Sequence, residues 1–281
     1  MSYGNNPNWG NEERVDAVYM QHCKFGAEQG DSNAQFNLGL LYDEKLKDLN
    51  NAIKWYKLAA EQGHKQAQNN LGACYQHGEG VVLNFEEAVK WYRLAAEQGH
   101  STAQFNLGWS YHYGEGVTQN HKEAVKWFHL AADQGDPTAH SFLGLCYSSG
   151  KGVVKNLKEA TKWFRIAAEK GDVLAQCNLG LLYASGDGVM QDFKEAAKWF
   201  ELAAKQGNSL AQFYIGQLYI EGRGVFQDLK EALKWFILCS SCEQSEVFEK
   251  ASQRKYFLMN ELSQEQVKLA FNEATKILER F

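Results

Sequence analysis

The chain has 281 residues, with 29 Lys or Arg against 34 Asp or Glu and a net charge of −5 at pH 7, so it carries no basic footprint for nucleic acid. Hydrophobic residues make up 44%, aromatics 13%, and there are only 2 Pro; this composition suits a packed interior and excludes a disordered linker protein. No apolar run reaches the length of a membrane span, and Met1 to Trp9 has neither the basic nor the apolar segment of a Sec signal.

These features predict a cytoplasmic protein, or one exported without a Sec signal, that does not insert into membranes. The six cysteines, Cys23, Cys74, Cys146, Cys177, Cys239 and Cys242, show no regular pairing, as expected of free buried thiols in a reducing compartment.

Residues 1–30 read as an N-terminal tail and a capping helix, Asn11 to Gln29, with His22 where later units place Trp. Residues 31–243 are organised by a repeat. Trp55, Trp91, Trp127, Trp163, Trp199 and Trp235 lie 36 residues apart, and so do Gly63, Gly99, Gly135, Gly171 and Gly207. The first unit is three residues shorter, because Tyr42 to Asp48 lacks the Gly-x-Gly-Val turn supplied later by Gly78, Gly80 and Val81.

Each of the six units predicts two helices. In the first, typified by residues 101–113, Ala103, Leu107, Ser110 and Tyr111 share a side. Gly108 stands mid-helix, where Gly costs roughly 1 kcal/mol against Ala. Its equivalents Gly39, Gly72, Gly144, Gly180 and Gly216 therefore imply a close helix approach in every unit. In the second helix, Ala124, Trp127, Phe128, Ala131 and Ala132 fall at i, i+3, i+4, i+7 and i+8, one buried face. Asn84/Glu87, Asn120/Glu123, Asn156/Glu159, Asp192/Glu195 and Asp228/Glu231 have capping spacing, with each Glu placed to reach back to free backbone donors. Gly135 closes the helix, and Asp136-Pro137 caps and opens the next.

Residues 244–281 are read as C-terminal capping helices. Ser263 to Gln266 has capping-box spacing and opens a helix to about Arg280, with Val267, Ala270, Phe271, Ala274 and Leu278 on one face. One such pair cannot cover its own apolar face, whereas six stacked pairs can. The fold predicted is an all-α solenoid of antiparallel helix pairs.

The pattern Ala-Gln-x-Asn-Leu-Gly-x-x-Tyr, then Gly-x-Gly-Val, then Asp/Asn-x-x-Glu-Ala-x-Lys-Trp-x-x-x-Ala-Ala-x-Gln-Gly, as in Ala175 to Gly207, resembles the Sel1-like repeat family, a relative of the tetratricopeptide repeats. The resemblance covers about three quarters of the chain. It implies right-handed superhelices that bind proteins and assemble complexes, with bacterial members implicated in host-cell interaction and signalling. The cysteines do not follow the one-pair-per-repeat arrangement of the family's disulfide-rich secreted branch.

Motifs for chemistry are absent: there is no His-Glu-x-x-His, Gly-x-Ser-x-Gly or Gly-x-Gly-x-x-Gly. Gly150-Lys151-Gly152 is the fourth unit's turn. Cys239-Ser240-Ser241-Cys242 is half of a zinc or redox motif without a second half, and a plain helix end is the alternative. The histidines are scattered, with His64 and His100 at the pre-helix position held by Asp136 and Asp172. Lys54, Lys90, Lys126, Lys162, Lys198 and Lys234 form a stripe with acidic residues such as Glu87 at i−3, a mixed-charge face. No catalytic residue, metal ligand or cofactor is predicted.

A helical wheel of the first helix puts Ala34, Leu38, Leu41 and Tyr42 in the core and turns positions 36, 40 and 43 toward the concave surface. The candidate partner-binding residues there are Phe36, Leu40, Asn69, Phe105, Trp109, His112 and Phe213, with Phe105 and Trp109, one turn apart, as aromatic anchors. The same rings also suit gap-filling between neighbouring first helices. Asn37, Asn70, Asn106 and Asn178 flank them and would either hold an extended peptide backbone or satisfy neighbouring carbonyls.

The periodic Trp is placed in the core, where Trp127→Ala would cost about 3–5 kcal/mol. The function predicted is a non-enzymatic, monomeric adaptor that holds a protein or peptide segment. The alternative is binding of a small molecule or cell-wall fragment in the groove, with weak hydrolysis.

Overall fold

The computed structural model describes residues 11–241 and 247–279, with side chains from residue 18 onward. Among these residues there are helices and turns and no strands. The chain falls into two compact units, residues 1–136 and 137–281.

The first unit holds α1 (Asn11–Glu28), α2 (Ser32–Leu40), α3 (Leu49–Glu61), α4 (Lys65–His77), α5 (Phe85–Glu97), α6 (Ser101–Tyr113) and α7 (His121–Asp133). The second holds α8 (Pro137–Ser149), α9 (Leu157–Glu169), α10 (Val173–Ser185), α11 (Phe193–Lys205), α12 (Ser209–Glu221), α13 (Leu229–Cys239), α14 (Phe248–Glu261) and α15 (Gln264–Leu278). In each unit, consecutive helices pack as neighbours up to α13, and α14 and α15 each pack against α13, the layering expected of an α-solenoid of helix pairs with a terminal cap. The Cys239/Cys242 spacing cannot be followed, because Cys242 lies outside the described residues. The helix end expected at Arg280 also lies outside them, and α15 ends at Leu278.

The caps set the helix starts. Asn84, Asn120, Asn156, Asp192 and Asp228 each accept a backbone N–H of the following turn through the side chain. The glutamate three residues on does not complete a reciprocal box as expected; it pairs instead with the lysine one turn further along, as in Glu87–Lys90, Glu123–Lys126, Glu159–Lys162 and Glu231–Lys234. The N–H of each cap is already donated to a carbonyl of the first helix, from Asn84 to Tyr75, Asn120 to Tyr111, Asn156 to Tyr147, Asp192 to Tyr183 and Asp228 to Tyr219 at 2.8–3.0 Å, so the glutamate finds no donor there. The full reciprocal box forms at Ser263 and Gln266, where the Ser263 N–H donates to the glutamine side chain.

First helices are capped by Asp31, His64, His100, Asp172 and Asn208. Gly114, at φ +77°, closes α6, and Gly135, at φ +88°, follows α7, a backbone region that favours glycine. The shortened first unit makes its turn differently: α2 runs into a π-helical turn, Leu41–Lys45, and Lys47 takes φ +53° in place of a glycine.

The mid-helix glycines seat an aromatic ring of the paired helix. A Cβ on Gly108 would stand 2.7 Å from the ring of Phe128, and Gly39, Gly72, Gly144, Gly180 and Gly216 meet Tyr56, Tyr92, Phe164, Phe200 and Phe236 in the same way. These six rings are fully buried.

The tryptophan one residue earlier was expected to be the core ring, and here the structure corrects the reading. Trp55, Trp91, Trp127 and Trp163 are half-buried; only Trp199 and Trp235, at 7% and 2% exposure, are buried. Trp55, Trp91 and Trp127 lean on the apolar cluster that their own first helix makes with the helix before it, α1, α3 and α5 respectively. The two adjacent aromatics therefore divide the work: one ring closes its own pair and the other covers the joint between that pair and the helix before.

A glutamine in five of the six first helices makes a second joint; α8 has His140 at that position. Gln35, Gln68, Gln104, Gln176 and Gln212 are buried and donate to the carbonyls of Ala27, Ala60, Ala96, Ala168 and Ala204, at the end of the preceding second helix, at 3.0–3.2 Å. Four of them also accept from Gln62, Gln98, Gln134 and Gln206 of their own second helix at 2.7–2.9 Å. A buried amide with both ends engaged is stabilising and fixes register.

The end helices bury less. In α1, Cys23 and Ala27 are buried, while Val18 and Phe25 are exposed. In α15, Ala270 and Ala274 are buried and Val267 half-buried, but Phe271 and Leu278, expected on the same buried face, are exposed.

Candidate interaction surface

Charge is partitioned between the two kinds of helix. Among α4, α6, α8, α10 and α12, acidic residues, lysines and arginines are confined to Lys65 and Glu221, at opposite ends of the set. The second helices carry the i, i+3 pairs described above, and further charges lie in the turns and end helices; α2 is itself uncharged but runs into Asp43, Glu44 and Lys45 of its π-helical turn. These five first helices thus present an uncharged face of amides, hydroxyls and rings, and counting charge helix by helix would have shown this in the sequence.

Phe36, Leu40, Asn69, Phe105, Trp109 and Phe213 are all half-buried. Phe36 stacks on His64 with centroids 4.6 Å apart, and stands 6.0 Å from Tyr56. Phe105 and Phe213 lie on the seated core rings Phe128 and Phe236, at 5.6 and 5.7 Å. One edge of each predicted anchor therefore serves packing within its own pair.

Along α6 the rings continue outward. Phe105 is 6.2 Å from Trp109, and Trp109 is 4.4 Å from Tyr113, which is 50% exposed. Tyr113, which was not among the predicted anchors, completes this ladder. His112 does not belong to the open face: it is 7% exposed, with its ring against Tyr113, His121 and Phe128. Position 112 shares the wheel sector of position 105, and it is His121 and Phe128 of α7 that enclose its ring.

The asparagines divide. Asn106 donates to Asn69 at 3.3 Å, and Asn69 donates to Asn70 at 3.4 Å, a short amide chain across two neighbouring first helices. Asn178 returns its amide to the carbonyl of Leu174 in the same helix at 2.8 Å. Asn37 is half-buried.

The histidines at helix starts are caps. The Nδ1 atoms of His64 and His100 accept the backbone N–H groups of Ala67 and Ala103 at 3.3 and 3.2 Å. Burial holds both imidazoles below the ordinary histidine pKa; beside His100, Lys65 adds to the effect.

Cys23, Cys74, Cys146 and Cys177 are free and buried; Cys239, also buried, donates through Sγ to the carbonyl of Ser209 at 3.2 Å. Burial pushes the Cys74 and Cys146 thiols up to about 11 and that of Cys177 up to about 12, so at neutral pH they are protonated and weakly nucleophilic. Among the described residues no three His, Cys, Asp or Glu side chains are grouped to hold a metal, and no helix is long and apolar enough to cross a membrane.

The Sel1 repeat model matches residues 32–64, 65–100, 101–136, 137–172, 173–208 and 209–238 in succession. The chain belongs to the Sel1 repeat family. Its fold is the all-α solenoid of that family. The crystal structure of c5321, a protective antigen of uropathogenic Escherichia coli with a Sel1-like repeat fold, is similar at 30% identity and a TM-score of 0.76. The match covers 92% of this Sel1 repeat chain and 64% of that one, so the present chain spans just under two thirds of c5321. A Sel1 repeat protein from Oxalobacter formigenes is 36% identical, with a TM-score of 0.71, over 83% of this chain and 96% of the other. No curated protein sequence matches the chain.

Proposed function

We propose that this Sel1 repeat protein is a non-enzymatic, monomeric interaction scaffold whose first-helix face holds a partner polypeptide segment. The observation that carries the reading is the partition of charge: a face of amides, hydroxyls and half-exposed rings, centred on Phe105, Trp109 and Tyr113, suits an uncharged, apolar segment. Charged partners would lose hydration there without finding a counter-ion. Aromatic side chains of this kind supply rigid contact area at small entropic cost.

Asn69, Asn70 and Asn106 lie beside the α6 ladder and offer amide donors and acceptors to an extended backbone. Phe36, Leu40, Asn37, Asn178 and Phe213 extend the proposed surface within their own units. Likeness to a bacterial protective antigen supports a role in bacterial contact with a host, or in signalling.

The test compares capture of proteins from a cell extract by the wild type and by Phe105→Ala/Trp109→Ala, followed by titration of the captured partner. Saturable binding that the double variant loses, with its melting curve kept, supports the scaffold. Equal capture by both proteins removes this face from the proposal.

A further inference from the structure

On the second-helix side of the first unit, an open groove of about 610 Å³ lies between the ends of α3 and α5. Its walls include Glu61 from α3 and Trp91, Leu94 and Glu97 from α5, over the buried amide of Gln68. Trp91 is half-buried and Leu94 is 45% exposed, so the groove has an apolar floor open to water. It is also anionic, because its lining contains two carboxylates and no lysine or arginine.

The nearby cations leave these carboxylates available. Arg93 is turned to the hydroxyl of Tyr111 at 2.9 Å. Lys57 approaches Glu61 only to 4.0 Å with both side chains more than half exposed, a contact worth little in water.

The same pairing of residue types runs through the unit. Phe25 and Glu28, Leu58 and Glu61, Leu94 and Glu97, and Leu130 and Asp133 each set an exposed apolar side chain three residues before an exposed acid, one pair per helix on α1, α3, α5 and α7. In the second unit Ile166 and Glu169 repeat the pairing on α9, and it lapses on α11, where Leu202 is followed by Lys205.

We propose that the α3–α5 groove holds a basic side chain, lysine or arginine, of a partner polypeptide, with its aliphatic stem on Trp91 and Leu94 and its charged head near Glu61 and Glu97. The flanking apolar–acidic pairs extend this recognition along a basic amphipathic segment. Long cationic side chains bury their stems on apolar surface while keeping the head in water, and a tryptophan face attracts the cation itself. This face is separate from the uncharged first-helix face, so either assignment stands or falls alone.

The experiment measures binding of a fluorescent synthetic peptide with arginine at every third position and leucine between, against the same peptide with glutamate. The arginine peptide is expected to bind, with affinity falling as salt rises from about 50 to about 300 mM, and the glutamate peptide not to bind. Glu61→Gln and Glu97→Gln, both at exposed positions, should each weaken binding about threefold and flatten the salt dependence. Glu86→Gln, at the far end of α5, should leave it unchanged.

Equal binding of the two peptides, Glu61→Gln/Glu97→Gln binding as tightly as wild type, or equal weakening by Glu86→Gln overturns the assignment. A dimer in sedimentation that the two groove variants dissolve assigns the groove to a second copy and overturns it as well.

Discussion

Phe128 and Trp127 are adjacent in the chain but differ in environment, and their substitutions should differ accordingly. Phe128 is fully buried against Gly108, so Phe128→Ala should cost about 3–5 kcal/mol in a denaturant series. Trp127 keeps part of its ring in water and leans on the cluster that α6 makes with α5; Trp127→Ala should cost about 1–3 kcal/mol, and an equal loss would return it to the core. The helical wheel did not separate them, because residues 100° apart both fall inside a wide apolar stripe. Only the stacking of pairs gives each ring its own partner.

The capping histidines carry a pH dependence of definite sign. Their Nδ1 atoms accept a backbone N–H, which requires the neutral ring, and burial depresses the folded-state pKa. Their contribution is complete above the unfolded value of 6.5 and is lost as pH falls from there through the depressed folded value. Stability measured against pH should decline on that acid limb. His100→Asp, which supplies the cap used at Asp172, should move its share of the loss to lower pH. An unchanged acid limb in that variant would remove His100 as its source.

At the scale of the element, the helix starts were the most legible feature, since Asn or Asp repeats at one spacing. Asn120→Ala should cost about 1 kcal/mol, read from the unfolding midpoint. The expected reach of Glu123 back to the cap fails because the Asn120 N–H is taken by the carbonyl of Tyr111 at 2.8 Å, a partner that the spacing within one helix does not show.

The glutamine joints were not anticipated, although Gln35, Gln68, Gln104, Gln176 and Gln212 recur in five of the six units, with His140 in the remaining one. A glutamine on a helix suggests solvent until the approach of the preceding helix end is known. Gln104→Ala removes one bond from the carbonyl of Ala96, which keeps the N–H of Gly99, and one from the amide of Gln134, which keeps the carbonyl of Leu130, and should cost about 1 kcal/mol. A loss under about 0.5 kcal/mol would show that water replaces the joint.

Across the molecule, the periodic tryptophans and glycines made the repeat count and the all-α class readable, because one unit repeated six times averages out local ambiguity. The functional face was less legible. A wheel finds which residues turn from the core, but not that Phe105 and Phe213 rest one edge on seated rings, nor that His112 is enclosed.

Contacts in each unit join neighbours in sequence, so stability should be local. In hydrogen exchange, Phe236→Ala should accelerate exchange in α12 and α13 while leaving α3 to α5 at the wild-type rate. Uniform acceleration would indicate all-or-none unfolding instead.

The glutamine joint grips a main-chain carbonyl, a group every copy of the repeat supplies whatever its side chains. Copy number is therefore free to vary: inserting a duplicate of residues 101–136 would present the incoming amide with the same acceptor it meets now, and the chain would lengthen by one rung without any new complementarity having to evolve.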